Sequence, residues 1–361
     1  MALDAEAEVI HLLERCAQLK ASDLHLSAGQ GAVYRINGQI RADTTSVTYS
    51  ADEVELMAEV LMNDAQRALF QREMTLDMGF SLGTAERYRI NIYREQYGVA
   101  LAIRYLDRSL KTTAALGLPP QMSYLSGLKS GLVLVCGSTG SGKSTTLTAL
   151  LNEINEQQYK HILIIEDPIE FVHSNKKSMV HQREVRSSVP DFASAVRAAI
   201  REDPDVIMVG EMRDLETMRA ALTAAETGHL VFSTLHTNDA VGVVERLIGS
   251  FPGDEQAVAR QRIAHALKGV VAQNLVATQN NDGRVVVAEI LLVTPAVVNL
   301  IETGKTRQIY SVMESSNRQG MQTQDQALAR LVQAQRIDLD TARGLCRDLH
   351  SFERMVGVLK E

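Results

Sequence analysis

The chain has 361 residues, of which 45% are hydrophobic and 22% charged, and its formal net charge is −7. This length accommodates two domains with a large core, whereas the acidic balance argues against a general nucleic-acid binder, which usually carries a basic face. Three widely spaced cysteines without a CxxC pair favour a reducing cytosol, and the sequence has neither a signal peptide nor an apolar stretch of the roughly 20 residues that span a bilayer.

The first 108 residues predict a small α+β domain. Apolar residues at helical spacing indicate a helix over 3–20. Asn37-Gly38 predicts a hairpin turn between strands 32–36 and 39–42, because both residues tolerate a positive φ. The other expected elements are a helix over 51–70 and strands over 76–82, 88–94 and 99–106. Short strands separated by polar turns favour a mostly antiparallel sheet.

A weakly patterned stretch follows this domain. Gly117, Pro119-Pro120 and Gly127 interrupt any long element there, so the sequence predicts a linker over 109–130.

Beyond the linker, apolar strands alternate with helices, which predicts an α/β sandwich with a largely parallel sheet. The predicted strands are 132–136, 162–165, 206–209 and 230–234, and the predicted helices are 145–157, 190–202, 214–227 and 239–249. A hairpin-like pair near Ala277 and 284–293 ends this domain, which we expect over 131–294. Several further helices are expected over 295–361.

Residues 137–144 match the full phosphate-loop pattern GxxxxGK(S/T), with an apolar strand before them and a predicted helix after them. The glycines allow backbone N–H groups to close around a polyphosphate. Lys143 is expected to reach the β- and γ-phosphates of ATP, and the Ser144 hydroxyl to bind Mg²⁺. The candidate nucleotide-binding residues are Gly137, Ser138, Thr139, Gly140, Ser141, Gly142, Lys143, Ser144 and Thr145.

Polar residues follow three more of the predicted parallel strands. Because the carboxyl ends of such strands lie along one edge of the sheet, we expect Glu166, Asp167, Glu211 and His236 near the phosphate loop. Hydrolysis of a γ-phosphate needs a positioned water and fixed counter-charge rather than a covalent nucleophile. Glu211 is the candidate for orienting and activating that water, because it directly follows an apolar strand as a Walker B acid does.

Gly210 stands where a P-loop enzyme usually has the Asp that holds Mg²⁺. Metal support would then come from Ser144, from waters, and from Glu166 or Asp167. The acidic pair also fits a solvated turn, and His236 also fits a structural histidine. His229, near the start of the same strand, gives a weaker signal.

Arginines cluster in the first domain at Arg87, Arg89, Arg94 and Arg104, and Arg89 and Arg104 fall within predicted strands. A solvated strand face is the simpler explanation. The alternative is an arginine placed in trans against a neighbouring subunit's γ-phosphate, an arrangement worth roughly 10³–10⁵ in rate. Spacing alone does not favour this alternative.

Taken together, these residues resemble the secretion ATPase superfamily, and most closely its PilT/PilU-like type IV pilus retraction ATPases. The resemblance covers nearly the whole chain. The segments that carry it are the phosphate loop, an Asp box at 164–173, the run Gln182-Arg183-Glu184-Val185, a Walker B region at 201–214 and a His box at 227–237. This family is similar in lacking the Asp at the position of Gly210.

The resemblance implies a PAS-like N-terminal domain that opens with strand 22–26, a RecA-like P-loop ATPase core and a C-terminal helical region. It implies a cytoplasmic homohexamer, peripheral at the inner membrane, that couples ATP hydrolysis to pilus disassembly and twitching motility. The partners it implies are an inner-membrane platform protein, the pilus machinery and a paralogous ATPase. The acidic charge and the lack of a recognisable nucleic-acid module predict no direct contact to nucleic acid.

Site residues follow from the same resemblance. Glu166 belongs to the Asp box, Glu211 is the catalytic carboxylate, and His229 and His236 are His-box residues near the phosphates. Arg89 and Arg104 occupy positions where family members have N-domain arginines that reach a neighbouring nucleotide site.

One segment departs from the family. Retraction motors typically carry Ala-Ile-Arg-Asn-Leu-Ile-Arg-Glu at 296–303, whereas this chain has Val298 and Glu302 in place of the two arginines. The principal retraction motor, an accessory paralogue and a motor of a divergent pilus system therefore stay open as alternatives. A nucleic-acid translocase and a regulatory subunit that binds ATP with little turnover are alternatives of other classes.

Overall fold

A computed structural model describes residues 4–83, 86–106, 110–280 and 283–358. The chain forms two compact units, the first comprising Met1–Ser109 with Asp167–Val172 and the second Leu110–Glu166 with His173–Glu361. The predicted domain limits at 1, 108, 109 and 361 lie outside the described residues. In the part of the chain that the structure covers, no helix has the length and apolar character needed to cross a bilayer.

The first unit is an α+β fold with an antiparallel sheet, as predicted. Its elements are α1 (Ala5–Gln18), β1 (Asp23–Leu26), β2 (Val33–Ile36), β3 (Gln39–Ala42), α2 (Ala51–Leu61), α3 (Asp64–Glu73), β4 (Thr75–Leu82), β5 (Glu86–Glu95) and β6 (Gly98–Leu106). Within the described residues, the strands form one six-stranded sheet in the order β3-β2-β1-β6-β5-β4. All neighbouring strands in this sheet are antiparallel.

Local sequence explains both an agreement and a difference in this unit. The β2–β3 hairpin turns at Asn37 and Gly38, whose φ values are 52° and 81°. The single helix predicted over 51–70 is wrong, because the backbone is extended at Met62 and Asn63 starts a second helix with a capping box to Gln66.

Alternation along the strands gives this sheet one apolar and one polar face. Leu24, Tyr34, Ile90 and Ile103 are fully buried in the core that also contains apolar residues of α1 and α2. Burying such side chains contributes about 1.5–3 kcal/mol each relative to leaving them exposed. The intervening positions carry the polar row in which Arg89 pairs in register with Arg104.

The second unit is built on a mostly parallel sheet. Its elements through the sheet are α4 (Met122–Ser126), β7 (Gly131–Cys136), α5 (Lys143–Gln157), β8 (His161–Glu166), β9 (Met179–Glu184), α6 (Phe192–Ala199), β10 (Val206–Val209), α7 (Leu215–Glu226), β11 (Leu230–Leu235), α8 (Ala240–Gly249), α9 (Gln256–Ala266), β12 (Leu267–Ala277) and β13 (Arg284–Leu292). Among the described residues, the strand order is β13-β12-β7-β11-β10-β8-β9, and β13 alone runs antiparallel to its neighbour.

Short helices follow the sheet, as expected for 295–361. They are α10 (Pro295–Glu302), α11 (Ile309–Ser315), α12 (Gln324–Gln333), α13 (Leu339–Arg343) and α14 (Leu349–Val356), with 3₁₀ turns at Thr306–Gln308 and Asn317–Gln319. Leu328 of α12 and Phe352 of α14 pack with Val276 and Val285 of the β12–β13 pair. The C-terminal helices are therefore attached to one edge of the sheet.

Three elements of the second unit differ from the sequence-based expectation. Residues 110–130, predicted as a linker, belong to this unit and include α4, whose Met122 and Leu125 are fully buried. Strand β9 and helix α9 were not predicted. Strand β9 has one buried residue, Val180, and is mostly polar after it, so its composition resembles that of a loop.

Candidate active site

The phosphate loop connects β7 to α5 and has the backbone that its glycines predict. Gly137, Gly140 and Gly142 all have positive φ values of 144°, 79° and 89°. A Cβ on Gly137 would lie 2.3 Å from the Gln273 carbonyl oxygen, so only glycine fits there. The N-terminus of the 15-residue helix α5 has no side-chain cap, which leaves its first N–H groups directed to this loop.

Lys143, the first residue of α5, folds back over the loop. Its Nζ donates hydrogen bonds of 2.9 Å to the carbonyl oxygens of Gly137 and Ser138, and the side chain is buried. Burial lowers the pKa of Lys143 below its ordinary value, while the nearby Glu211 carboxylate acts in the opposite direction. The ammonium thus lies at the loop, where phosphate oxygens would replace carbonyls as its acceptors.

Gln273 of β12 supports the loop from the neighbouring strand and was not predicted as a site residue. Its amide nitrogen donates to the Ser141 carbonyl at 2.7 Å, and its amide oxygen accepts from Thr146 Oγ1 at 2.9 Å. The side chain is 1% exposed. The available sequence signal was a polar pair, Gln273 and Asn274, inside the mainly apolar run 269–277.

The loop fits a polyphosphate on the evidence of its own atoms. Residues 138–140 at its tip are exposed, so a ligand has access to their N–H groups. The buried Ser141 Oγ has no hydrogen-bond partner among the described residues. Ser144 is the second residue of α5 and Thr145 the third, which places both hydroxyls in the first turn beside the loop.

Glu211 lies just beyond the carboxyl end of β10, as predicted, and its side chain is 15% exposed. One carboxylate oxygen forms an ion pair with Arg213, and the other lies 3.6 Å from His236 Nε2. His236 directly follows β11, whose last residue Leu235 pairs in register with Cys136 at the end of β7. The structure therefore brings Glu211, His236 and the phosphate loop to the same edge of the sheet.

The tight packing around Gly210 explains the absent Walker B Asp. A Cβ at this position would lie 3.3 Å from the Ile165 carbonyl oxygen and 3.6 Å from the Glu166 Cα. The Gly210 backbone is also fixed, because its N–H donates to Ile165 and its carbonyl accepts from Thr234 Oγ1 at 2.7 Å. A Cβ at this position would require the Ile165 carbonyl to shift by a few tenths of an ångström.

Glu166 is the last residue of β8 and is 7% exposed. It belongs to the same carboxyl edge, since Ile165 pairs in register with Val209 just before Gly210. Asp167, the next residue, belongs to the segment that is part of the first unit.

His229 is placed differently from the expectation. It precedes β11 and so lies at the amino end of the strand, whereas the phosphate loop of the same chain lies at the carboxyl end. Its Nδ1 is 2.9 Å from the Ala224 carbonyl oxygen and 3.2 Å from Thr227 Oγ1. Within one chain the structure does not bring His229 to the phosphates.

The two candidate arginines of the first unit have carboxylate partners within that unit. Arg89 forms an ion pair with Asp77, and this hydrogen bonding raises the pKa of the guanidinium above its ordinary value. Arg104 Nε lies 3.0 Å from Asp23 Oδ1, and its side chain is 64% exposed. Arg89 is 37% exposed and its Nη1 also lies 3.9 Å from Glu170, so Arg104 is the more accessible of the two.

The parallel sheet and the phosphate loop at its carboxyl edge define a nucleotide-binding protein of the P-loop α/β class. A family model described as type II/IV secretion system protein matches residues 5–339, and the chain belongs to that family.

Similar proteins extend this assignment. The chain is 43% identical over 336 residues to the type IV pilus retraction ATPase PilT of Pseudomonas aeruginosa, covering 93% of this chain and 97% of PilT. It is 37% identical over 320 residues to the type IV pilus ATPase PilU of the same organism, covering 89% and 84% of the two chains. A crystal structure of the pilus retraction motor PilT with bound ADP superposes with a TM-score of 0.88 at 40% identity, covering 96% and 98%. These findings confirm the predicted two-domain secretion ATPase fold and the resemblance to retraction ATPases.

Proposed function

We propose that this protein is an ATPase motor that powers retraction of type IV pili. The observation that carries the proposal is the close approach of Lys143, Glu211 and His236 around a phosphate loop, in a chain that is similar along nearly its whole length to PilT. A loop that binds nucleotide without turnover would not require a carboxylate and an imidazole beside it.

Each residue has a distinct task in ATP hydrolysis. Lys143 would exchange its two carbonyl acceptors for β- and γ-phosphate oxygens, so that its charge offsets the charge that develops as the γ-phosphate leaves. Glu211 would orient the attacking water and accept its proton, and His236 would hold the second carboxylate oxygen.

Mg²⁺ fits the donor set at this edge. Ser144 would hold the ion, with Glu166 as a further candidate, and a bound Mg²⁺ supplies charge neutralisation at the β- and γ-phosphates. The chain itself fixes the conformation of the phosphate loop before nucleotide binds, through the Gln273 hydrogen bond to Ser141 and the close packing of Gly137 against Gln273.

The motor would act as a ring. We propose a homohexamer, peripheral to the cytoplasmic face of the inner membrane, that acts on an inner-membrane platform protein of the pilus machinery. Arg89 and Arg104 would reach the nucleotide of a neighbouring subunit, where a positive charge supplied in trans stabilises the transition state. Their exposure leaves both side chains accessible for this role.

Glu211→Gln in the producing organism tests the function. With labelled pili, this variant should extend pili that then stay extended, because nucleotide binds but the water is not activated. Glu216→Gln is the matched control, since that carboxylate lies on α7 and its arginine partners are 3.7 and 3.8 Å away. Normal retraction in the Glu211 variant would contradict the proposal, and absence of pili would indicate an extension motor instead.

A second candidate is an accessory paralogue of the retraction motor. The observation that favours it lies in α10, where the Glu302 carboxylate lies 3.1 Å from His265 Nε2 and Val298 packs against the core. The surface of α10 therefore lacks the two positive charges that the principal motors typically carry there. Deletion of this gene alone would then leave retraction intact, and deletion together with a paralogous ATPase would abolish it.

Mixed rings test the trans arginine. Arg104→Ala and Lys143→Ala should each be inactive alone, and mixtures should recover activity at interfaces that pair an intact phosphate loop with an intact arginine. Absence of recovery at every mixing ratio would show that Arg104 does not act in trans.

A further inference from the structure

Glu289 is a buried carboxylate close to the phosphate loop that hydrolysis does not use. It lies on β13 and is 3% exposed. Across the sheet it pairs in register with Ala272 of β12, which pairs with Cys136, the last residue before the loop. Two strand spacings of about 4.8 Å therefore separate Glu289 from the start of the phosphate loop.

The carboxylate joins the N-termini of two helices. Glu289 Oε1 accepts a 2.8 Å hydrogen bond from the N–H of Ala240, the first residue of α8. Glu289 Oε2 accepts a 3.4 Å hydrogen bond from the N–H of Gln324, the first residue of α12. The N-cap side chains Asp239 and Thr323 accept from later N–H groups, so Glu289 satisfies the donors that they leave.

The two helices belong to different parts of the molecule. Helix α8 continues from residues 236–239, which begin with the histidine that contacts Glu211. Helix α12 belongs to the C-terminal helices. Gln322, two residues before α12, forms an isolated antiparallel bridge with Ile290 of β13. One side chain thus touches both the N-terminus of α8, which follows loop 236–239, and the N-terminus of α12.

We propose that Glu289 is a positioning residue that couples the nucleotide-dependent position of loop 236–239 to the C-terminal helices. When His236 and its loop move with the nucleotide, the N-terminus of α8 moves with them, and the shared carboxylate carries that displacement to α12. The inference rests on the proposed function, and it adds the route by which the ATP site reaches the C-terminal region.

Gln324→Pro tests this coupling without touching the ATP site. Proline removes the N–H that Glu289 accepts, and it is well tolerated as the first residue of a helix. The preceding Thr323 has φ −82° and ψ 163°, which suits a residue before proline. Gln324→Ala is the matched control, because it also loses the Gln324 side-chain bond to the Leu345 carbonyl but keeps the N–H.

Amide hydrogen exchange with and without ADP gives the readout. In the wild type and in Gln324→Ala, ADP should slow exchange in both 240–249 and 324–333. The expected slowing is about tenfold, which corresponds to the stabilising effect of one hydrogen bond to a charged group. In Gln324→Pro, ADP should slow exchange in 240–249 only. The proposal would be overturned if ADP slowed exchange of 324–333 in the proline variant as much as in the wild type. It would also be overturned if ADP slowed exchange only in 240–249 of the wild type.

Kinetics of Glu289→Gln separate positioning from mere stability. The amide has only one acceptor oxygen, so its NH₂ group faces one of the two backbone N–H donors and that hydrogen bond is lost. The support of loop 236–239 is thereby weakened, whereas the phosphate loop is unchanged. The kcat should fall about tenfold with KM for ATP changed less than about twofold, and Glu289→Asp should restore part of kcat. Equal changes in kcat and KM would overturn the proposal. The ADP exchange experiment needs no turnover, so a wild type that does not hydrolyse ATP would refute the proposed function and leave the coupling test valid.

Discussion

The two edges of the seven-stranded sheet carry similar residue types in very different settings. At the carboxyl edge, Glu211 and His236 interact with each other beside a loop whose lysine is held by carbonyl groups that a phosphate could replace. At the amino edge, His229 Nδ1 contacts the Ala224 carbonyl oxygen, and Asp205 accepts from the backbone N–H of His161. These two polar groups at the amino edge thus each have a backbone partner.

This contrast shows that residue type alone does not identify a functional group in a parallel sheet. A histidine or carboxylate at the carboxyl edge is available to a ligand, whereas the same group at the amino edge completes the hydrogen bonding of a turn. Substitutions at the two edges should therefore affect different quantities, namely turnover on one side and stability on the other.

Lys143→Ala should produce the largest effect. Removal of the ammonium takes away the charge that meets the β- and γ-phosphates, and we expect kcat to fall by at least about 10²-fold. Steady-state phosphate release measures the rate, and thermal unfolding checks the fold. Lys129→Ala, at an exposed lysine just before β7, serves as the control and should keep wild-type activity. Hydrolysis at the wild-type rate by the Lys143 variant would contradict the assigned site.

Gln273→Leu should act on binding. The substitution keeps the volume but removes both hydrogen bonds that fix Ser141 and Thr146, so the loop is no longer held in its binding conformation. We expect the Kd for ADP to rise about tenfold, measured by calorimetry. Asn274→Leu, the next residue along β12, controls for a polar-to-apolar change on that strand. An unchanged Kd would assign Gln273 to stability alone.

The histidine pair tests the comparison of the edges directly. His236→Ala should lower kcat about tenfold or more, because Glu211 loses a neighbour in the active site. His229→Ala should change kcat less than about twofold and lower the unfolding midpoint by about 2 °C, the effect of one lost hydrogen bond that is partly buried. If His229→Ala abolishes hydrolysis in the assembled protein, the amino edge of one subunit contributes to a site on another.

Much of the fold followed from local signals. The Asn37-Gly38 turn, the apolar strands that lead to the phosphate loop and the alternation of strands and helices all predicted elements that the structure contains. The break at Asn63 was missed because Ala51 onwards continues an apolar helical pattern, and only the capping box with Gln66 interrupts it. Strand β9 was missed because it is stabilised by pairing with β8 rather than by its own composition.

The sequence predicted the site residues that follow a strand, but not those whose role depends on which strands are neighbours in the sheet. Glu211 and His236 could be placed at one edge because His236 directly follows β11 and Glu211 follows β10 after Gly210. The positions of Gln273 and Glu289 could not, because their roles depend on β12 lying beside β7 and β13 lying beside β12, which a sequence does not display. His229 precedes β11 and so lies at the opposite edge within one chain, and its expected place near the phosphates stays a prediction.

Asp205→Asn should give the smallest effect and completes the comparison at the amino edge. Burial raises the pKa of Asp205, but hydrogen bonds from Lys160 and from the His161 N–H outweigh it, so the folded-state pKa lies below the ordinary value. The carboxylate therefore stabilises the fold at pH values above the unfolded pKa of about 3.9, and this contribution is lost as the pH falls through the folded pKa. The drop in unfolding midpoint between pH 7 and pH 3 should be smaller in Asp205→Asn than in the wild type. The expected difference is only about 1 °C, because the Asp205 side chain is partly exposed to solvent. Asp340→Asn, at an 89% exposed carboxylate, should leave that difference unchanged. A fall in ATPase rate at pH 7 in Asp205→Asn, with the midpoint preserved, would instead show that the amino edge takes part in turnover.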